Sequence, residues 1–313
     1  MNSQELNISV INPIGPAFEK VKEILFRPFD LGKWFVIGFC AWLAYLGSGG
    51  GGPSGPNFNF SQGGHSGTGA DQVFHEAKNY ISANLPWIIL GLLIVFTIII
   101  ALWLVITWLN SRGRFMFLHC VALNKAEVKV PWKKFQKHGD SLFLFRIVLA
   151  LIYLAALILP VGIAIFVVIA LVRTKAHFGL VLGLIAIGLV VFVISIAFAI
   201  VQKFVLDFVV PIMFLRTSSS KAAWRQFLEL LSANKGRFAL YILFQIVIGM
   251  AIGTIVLAAV CVTLCCLACF LAIPYIGTVL MLPVLVFKLA YSLCYLRQFG
   301  PELDVFSTET STA

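Results

Sequence analysis

Four cysteines lie close together in one apolar stretch of the sequence. Cys261, Cys265 and Cys269 recur every four residues, and Cys266 lies beside them. On a helix this spacing places three thiols on one face, where they are able to bind Cu(I) or Zn²⁺. Cysteine also packs well between helices, and no histidine or second cysteine pair completes a closed metal site. We therefore predict that these thiols are packing residues, and that the protein binds neither a metal nor another cofactor.

Three charged side chains also fall within or beside apolar segments. Lys203 and Asp207 are four residues apart, so a helix places them on one face, where they can form an ion pair. Lys288 lies near the end of the last apolar segment. Ionisable groups inside a bilayer are usually functional, whereas near the end of a span a lysine extends to water. We expect the interfacial arrangement. The lack of carboxylates at the predicted midplanes argues against a proton- or sodium-coupled transporter.

The remaining polar residues form no recognised catalytic motif. The sequence has 13 Asp and Glu residues and 5 His residues, and nearly all the carboxylates lie in predicted loops or interfacial segments. Neither a His-Glu-x-x-His sequence nor a Gly-x-Ser-x-Gly nucleophile elbow occurs. We predict that the protein is not an enzyme.

Long apolar segments must position these residues. The chain is 60% hydrophobic and only 12% charged, against about 25% charged residues in soluble domains. Lipid must therefore be the solvent for much of its surface, and one bilayer crossing needs roughly 20 apolar residues. We predict an all-α, polytopic membrane helix bundle of about six transmembrane helices with cytoplasmic amphipathic interfacial helices. The predicted spans are 31–47, 86–110, 142–172, 178–207, 238–270 and 275–296.

Basic residues alternate with these spans. Most of the 23 Lys and Arg residues lie before the first span, between the second and third, or between the fourth and fifth. Since cytoplasmic loops are enriched in Lys and Arg, both termini are predicted to be cytoplasmic. The net charge of +10 then complements anionic lipid, and we do not expect nucleic-acid binding. The candidate lipid contacts are Lys129, Lys133, Lys134, Lys137 and Arg225.

Three regions follow from this topology. We predict a cytoplasmic N-terminal segment over 1–30, a single transmembrane domain over 31–297, and a disordered cytoplasmic tail over 298–313. The Gly- and Ser-rich stretch 47–70 is typical of a flexible loop and falls on the outer side. The first 15 residues lack a basic region and an apolar core, so we expect no cleaved signal peptide.

An amphipathic stretch precedes the first, third and fifth spans. Pro16–Phe29 has apolar residues at helical spacing. Met116-Phe117-Leu118 and Met213-Phe214-Leu215 are each followed by Trp-basic-x-Phe, at Trp132–Phe135 and Trp224–Phe227. We interpret these stretches as three copies of one unit, an interfacial helix followed by a membrane hairpin. The alternative is that Trp, Phe and Lys are simply enriched at any membrane interface.

The N-terminal motif resembles a known family. Its residues are Pro13-Ile14-Gly15-Pro16-Ala17-Phe18-Glu19, Leu25-Phe26-Arg27-Pro28-Phe29-Asp30-Leu31-Gly32-Lys33-Trp34, Gly38-Phe39 and the glycine run from Gly49. They are similar to an uncharacterised family of bacterial multi-pass membrane proteins, which look distantly similar to the membrane domain of some glycerophosphodiester phosphodiesterases. The resemblance implies a protein of the bacterial plasma membrane, the inner membrane. It transfers no functional residue, because that family has no established activity.

We therefore predict a non-catalytic integral membrane protein that organises lipid or partner proteins at its cytoplasmic face. The expected partners are membrane lipids, chiefly anionic ones. The alternative is a transporter or channel for a lipid-like or apolar substrate. Prolines that can break long helices, at Pro160, Pro274 and Pro283, favour that alternative.

Overall fold

A computed structural model describes residues 8–47, 70–174, 177–263, 271 and 273–307. Within these ranges the chain is helical and has no strand. The first helices are α1 (Ile14–Leu25), α2 (Leu31–Tyr45), α3 (Ala70–Ala122), α4 (Lys129–Lys134) and α5 (Gln136–Thr174). They are followed by α6 (His177–Phe204), a π-helical segment (Val205–Val209), α7 (Val210–Arg216) and α8 (Ser220–Ala233). The last are α9 (Lys235–Val262), α10 (Pro274–Leu280), α11 (Leu282–Arg297) and a 3₁₀ turn (Pro301–Leu303).

Four helical stretches have the length and composition to cross a membrane. They are Asn84–Ala122, Gln136–Ile169, Val181–Arg216 and Lys235–Val262. At most 6% of the most apolar window in each is buried inside the protein. Apolar surface of this extent is unfavourable in water and favourable in lipid. The four long apolar helices therefore indicate a membrane helical bundle.

The predicted count of about six spans is not confirmed. The predicted span 31–47 corresponds to α2, which has 15 residues and is shorter than one crossing requires. The predicted span 275–296 is divided at Met281 between α10 and α11, of 7 and 16 residues. Most of α11 is buried among other helices of the protein. α11 therefore packs against protein as a core helix does, in agreement with a length below that of one bilayer crossing.

The long helices also differ from the predicted spans at their ends. α3 begins at Ala70 and ends at Ala122, so it continues through residues predicted to be loops. α5 continues through Pro160 without a break. Membrane helices tolerate proline because neighbouring groups satisfy the backbone carbonyl that proline leaves without a donor. α9 ends at Val262, and most of the remainder of the predicted span 238–270 lies outside the described residues. So does nearly all of the predicted loop 47–70.

The buried side chains lie at one end of the four long helices. We call this end the base; it consists of α1, α2, α4, α7, α8, α10 and α11, the last turns of α3, the π segment, and the first turns of α5 and α9. α3 and α6 run towards the base, whereas α5 and α9 run away from it. Phe208 stacks on Phe227 with ring centroids 5.4 Å apart, and Phe115 stacks on Phe135 at 5.9 Å. Such aromatic pairs contribute about 0.5–1.5 kcal/mol beyond their burial.

Three short helices of the base precede the apolar helices α2, α5 and α9. α1 corresponds to the amphipathic stretch predicted at Pro16–Phe29, and it buries Ala17 in the core. Phe135, directly after α4, and Phe227 of α8 are buried in the same core. These phenylalanines end the two Trp-basic-x-Phe sequences. The three-unit repeat stays a prediction, but its three amphipathic stretches lie at one end of the bundle.

Both terminal segments pack against the base. The Tyr291 hydroxyl donates to the carbonyl of Val10 at 2.8 Å, and Ser9 N–H donates to Gln298 Oε1 at 2.8 Å. Val305 is fully buried, so residues 298–307, predicted as part of a disordered tail, are ordered. Val305 belongs to the buried core of the base. Residues 308–313 lie outside the described ranges.

Helix α2 lies very close to α3. A Cβ atom at Gly113 would be 2.5 Å from the carbonyl carbon of Leu43, so only glycine allows this approach. Asn110 Nδ2 donates to the carbonyls of Ala44 at 2.8 Å and Leu46 at 2.9 Å. The amide thereby satisfies carbonyls at the end of α2, which the helix itself leaves without partners.

Candidate functional site

The irregular segment between α6 and α7 places Asp207 in the base. Pro211 has no N–H to donate to the carbonyl of Asp207 four residues earlier, and its ring would clash with that carbonyl in a regular α-helix. The chain widens here into the π-helical segment Val205–Val209. Such segments are frequent at functional sites.

Asp207 is the acceptor at the centre of a polar network. Its Oδ2 lies 2.7 Å from Lys203 Nζ, at the i, i+4 spacing on which the sequence prediction rests. The Tyr241 hydroxyl donates to the same oxygen at 2.9 Å, and Gln245 Nε2 donates to the Tyr241 oxygen at 3.0 Å. Tyr241 is fully buried. The network therefore links the end of α6 to the first turns of α9.

Lys203 and Asp207 line a cavity of about 160 Å³ together with two further cations, Arg114 and Lys288. Its apolar lining includes Phe117, Leu118, Leu206, Val210 and Leu289. The guanidinium of Arg114 lies 4.2 Å from the ring centroid of Tyr45, a cation–π contact. Lys288 is half-buried. We call this space the basic cavity; three cations and one carboxylate give its described lining a net positive charge.

A larger apolar groove of about 720 Å³ lies between α3, α5 and α6. Its hydrophobic lining includes Ile99, Leu102, Trp103, Ile106, Tyr153 and Phe198. Arg146 and Asn110 form a polar patch in the groove, where Arg146 Nη1 donates to Asn110 Oδ1 at 2.7 Å. Leu206 lines both this groove and the basic cavity. The two spaces therefore share a wall.

The predicted lipid contacts lie on the outside of the base. All five cationic side chains are exposed: Lys129, Lys133, Lys134, Lys137 and Arg225. They belong to α4, the start of α5, and α8. α1 adds further charges, and there the Lys22 ammonium, through a hydrogen bond, lowers the pKa of Glu19.

The predicted cysteine stripe is only partly described. Cys261 is exposed near the end of α9, while Cys265, Cys266 and Cys269 lie outside the described residues. Within the described ranges, no three His, Cys, Asp or Glu side chains are arranged to hold a metal ion.

Arg114 and Arg146 were not predicted as candidate site residues. The second span was predicted to end at residue 110, which leaves Arg114 in a loop, whereas α3 continues to Ala122 and carries Arg114 into the base. The apolar run that starts at Phe115 was the available signal, because it continues the helical pattern beyond the arginines. Arg146 was set aside as a residue near a helix end.

A second unpredicted proximity joins Cys40 of α2 to Cys120 of α3. Their sulfur atoms are 3.8 Å apart, and both side chains are buried. Nothing in their separation along the chain could show that α2 packs beside the last turns of α3.

Comparison with known proteins matches the chain to a family model. Residues 8–296 match a family of unknown function (DUF7544). No curated protein and no solved structure matches the chain. The match shows no link to glycerophosphodiester phosphodiesterases. Because it covers nearly the whole sequence, and not the N-terminal motif alone, the chain belongs to the DUF7544 family, whose function is unknown.

Proposed function

We propose that this protein is a non-catalytic, multi-pass protein of the bacterial plasma membrane that organises anionic lipid at its cytoplasmic face. The single observation that supports this function best is the exposed basic surface of α4 and α8 at the base of the apolar bundle. Membrane proteins place such surfaces against anionic headgroups.

The exposed faces of the short helices suit a membrane interface. On α4, Lys129, Lys133 and Lys134 are exposed beside Val130, which is 54% exposed. On α8, exposed Arg225 lies near Leu228, which is 41% exposed. Cationic side chains beside exposed apolar ones can hold phosphate groups while the apolar groups enter the acyl region. The same helices bury their opposite faces in the base, so their orientation is fixed.

The direction of the long helices supports a cytoplasmic base. The connection from α3 to α5 and that from α6 to α9 both lie at the base, and both are rich in Lys and Arg. Because basic residues accumulate on the cytoplasmic side, this arrangement favours a cytoplasmic base and cytoplasmic termini.

The proposal is tested by measuring which lipids surround the full-length protein in a bilayer. We would replace Lys129, Lys133, Lys134 and Lys137 by glutamine and reconstitute the protein with spin-labelled phosphatidylglycerol or phosphatidylcholine. Electron paramagnetic resonance then gives the fraction of each lipid immobilised by the protein. Each basic residue near an anionic surface contributes about 1 kcal/mol, so the preference for phosphatidylglycerol should fall strongly.

The matched control replaces the same four lysines by arginine, which keeps the charge. That variant should retain the preference for phosphatidylglycerol. An unchanged preference in the glutamine variant would refute the proposed function.

The apolar groove favours a second candidate, a transporter of a lipid-like substrate. Its volume of about 720 Å³ lies in the usual range of ligand pockets. Vesicles that contain such a protein should show a higher rate of fluorescent-lipid movement between leaflets than protein-free vesicles. Ala150→Trp, which adds bulk to the groove lining, should slow this movement. An equal rate with and without protein would exclude this candidate.

A further inference from the structure

The basic cavity has an unbalanced charge. Asp207 is the one carboxylate among its described lining residues, and it already accepts hydrogen bonds from Lys203 and Tyr241. Half-buried Lys288 forms no hydrogen bond or ion pair with any described residue. A cation removed from bulk water is costly without a counter-charge. The cavity is therefore suited to an anion.

Arg146 extends the positive region towards the groove. Its described hydrogen bonds go to the neutral acceptors Asn110 Oδ1, at 2.7 Å, and Ser111 Oγ, at 3.4 Å. No described carboxylate forms a salt bridge with it. Arg114 is close enough for the two guanidinium charges to repel each other. Both spaces that Leu206 separates thus present positive charge.

The basic cavity is small and charged and the groove is larger and apolar, as the headgroup and the hydrocarbon chains of a lipid are. The basic cavity, of about 160 Å³, is the smaller of the two spaces and suits a small headgroup. The groove is larger and is lined mainly by aliphatic and aromatic side chains such as Ile99, Trp103 and Phe198. Hydrocarbon gains free energy by leaving water or a loosely packed environment for such a surface.

We propose that the basic cavity and the apolar groove together bind one anionic lipid, with its phosphate between Arg114, Lys203 and Lys288 and its hydrocarbon chain passing Leu206 into the groove. This site rests on the proposed location of the protein in a membrane, but not on the exposed lysines of α4. Arginine and lysine are the side chains that proteins use to bind phosphate. Asp207 holds Lys203 in place through an ion pair of 2.7 Å.

The test is native mass spectrometry of the full-length protein in detergent, titrated separately with three probes. These are dioleoyl phosphatidic acid, dioleoyl phosphatidylcholine and inorganic phosphate. We expect one phosphatidic acid per chain, with weaker binding of phosphatidylcholine. Lys288→Gln should weaken phosphatidic acid binding about tenfold, as expected for the loss of one charge-assisted hydrogen bond. Lys288→Arg, which keeps the charge and a phosphate-binding side chain, should bind phosphatidic acid more tightly than Lys288→Gln.

Ala150→Trp separates the two sources of phosphate. Ala150 lines the groove and is not among the residues that line the basic cavity, so this substitution should weaken phosphatidic acid binding and leave any binding of inorganic phosphate unchanged. Equal affinity for phosphatidic acid and inorganic phosphate would overturn the lipid site. So would unchanged phosphatidic acid binding in Lys288→Gln, provided its thermal unfolding matches that of Lys288→Arg.

The α4 lysines distinguish this site from the proposed surface function. Their replacement by glutamine should leave the single phosphatidic acid bound. If that replacement removes it, the lipid binds at the surface and the cavity proposal fails. If only Lys288→Gln removes it, the cavity proposal holds whatever the bilayer experiment shows for the surface.

Discussion

The hydroxyl of Tyr241 donates a hydrogen bond to Oδ2 of Asp207, 2.9 Å away, and so joins α9 to the π segment after α6. The same carboxylate oxygen receives Lys203 Nζ. Tyr241 and Asp207 are 34 residues apart in the sequence, so this carboxylate connects two separate segments of the chain. The geometry of the basic cavity depends on that connection, because Lys203 and Asp207 both line it.

Replacing Tyr241 by phenylalanine should destabilise the protein. It removes a hydrogen bond to a charged acceptor, which contributes about 1.5–3 kcal/mol. Tyr295→Phe is a matched control, since that fully buried tyrosine donates to a neutral carbonyl, that of Arg237, at 2.9 Å. Thermal unfolding in detergent should show a larger loss for Tyr241→Phe. An equal or smaller loss would mean that the Asp207 carboxylate does not need this donor.

Asp207→Asn should cost more stability than Lys203→Gln. The lysine side chain is 42% exposed and the aspartate side chain 18%, so water can replace the lysine but not the groups around the carboxylate. An exposed ion pair contributes about 0–1 kcal/mol to the free energy of unfolding, so the loss of the lysine should cost little. The double variant then gives the coupling energy between the two residues. The interpretation fails if Lys203→Gln is the more damaging change in the same unfolding measurement.

Gly113→Ala should disrupt the contact between α2 and α3. The new Cβ would lie 2.5 Å from a backbone carbon of Leu43, and backbone cannot move aside as a flexible side chain can. Gly91→Ala in the same helix is the control, because its Cβ would meet no atom within 4 Å. We expect a lower unfolding temperature for Gly113→Ala and an unchanged or higher one for Gly91→Ala. Similar values for the two variants would contradict the close packing.

The orientation of the base is open to a direct labelling test. In a chain whose native cysteines are replaced, Lys137→Cys reports on the base and Lys78→Cys on the opposite side of the predicted membrane. If the base is cytoplasmic, a membrane-impermeant maleimide should label position 78 in intact cells. It should label position 137 only in inside-out vesicles. The reverse pattern would place the base outside the cell.

Sequence patterns predict local features of this protein better than distant contacts. The pairing of Lys203 with Asp207 follows from their spacing on one helix, and four long apolar helices follow from uninterrupted hydrophobic runs. The helix count does not follow in the same way. α2 and α11 are apolar because they face other helices, and composition alone does not distinguish that surrounding from lipid.

The candidate cavity is less predictable for a similar reason. Arg114 and Lys203 are far apart along the chain, and they approach only because α3 extends past its predicted end while Pro211 forces the π segment. Lys288 comes from a third helix. Lys203 and Lys288 were predicted as separate interfacial residues and Arg114 as one of many loop charges, and no local spacing links the three.

Within the described residues, helix α9 packs against the base through its first half only. Its buried residues within the described chain are Phe238, Tyr241 and Gln245, and all lie in its first turns. A Cβ at Gly249 or Gly253 would meet no protein atom within 4 Å. The Tyr241 hydrogen bond to Asp207 lies at the end of α9 that is packed in the base. Beyond Ile248, no described residue of α9 packs against the buried core, so the thickness of a surrounding bilayer should affect its tilt.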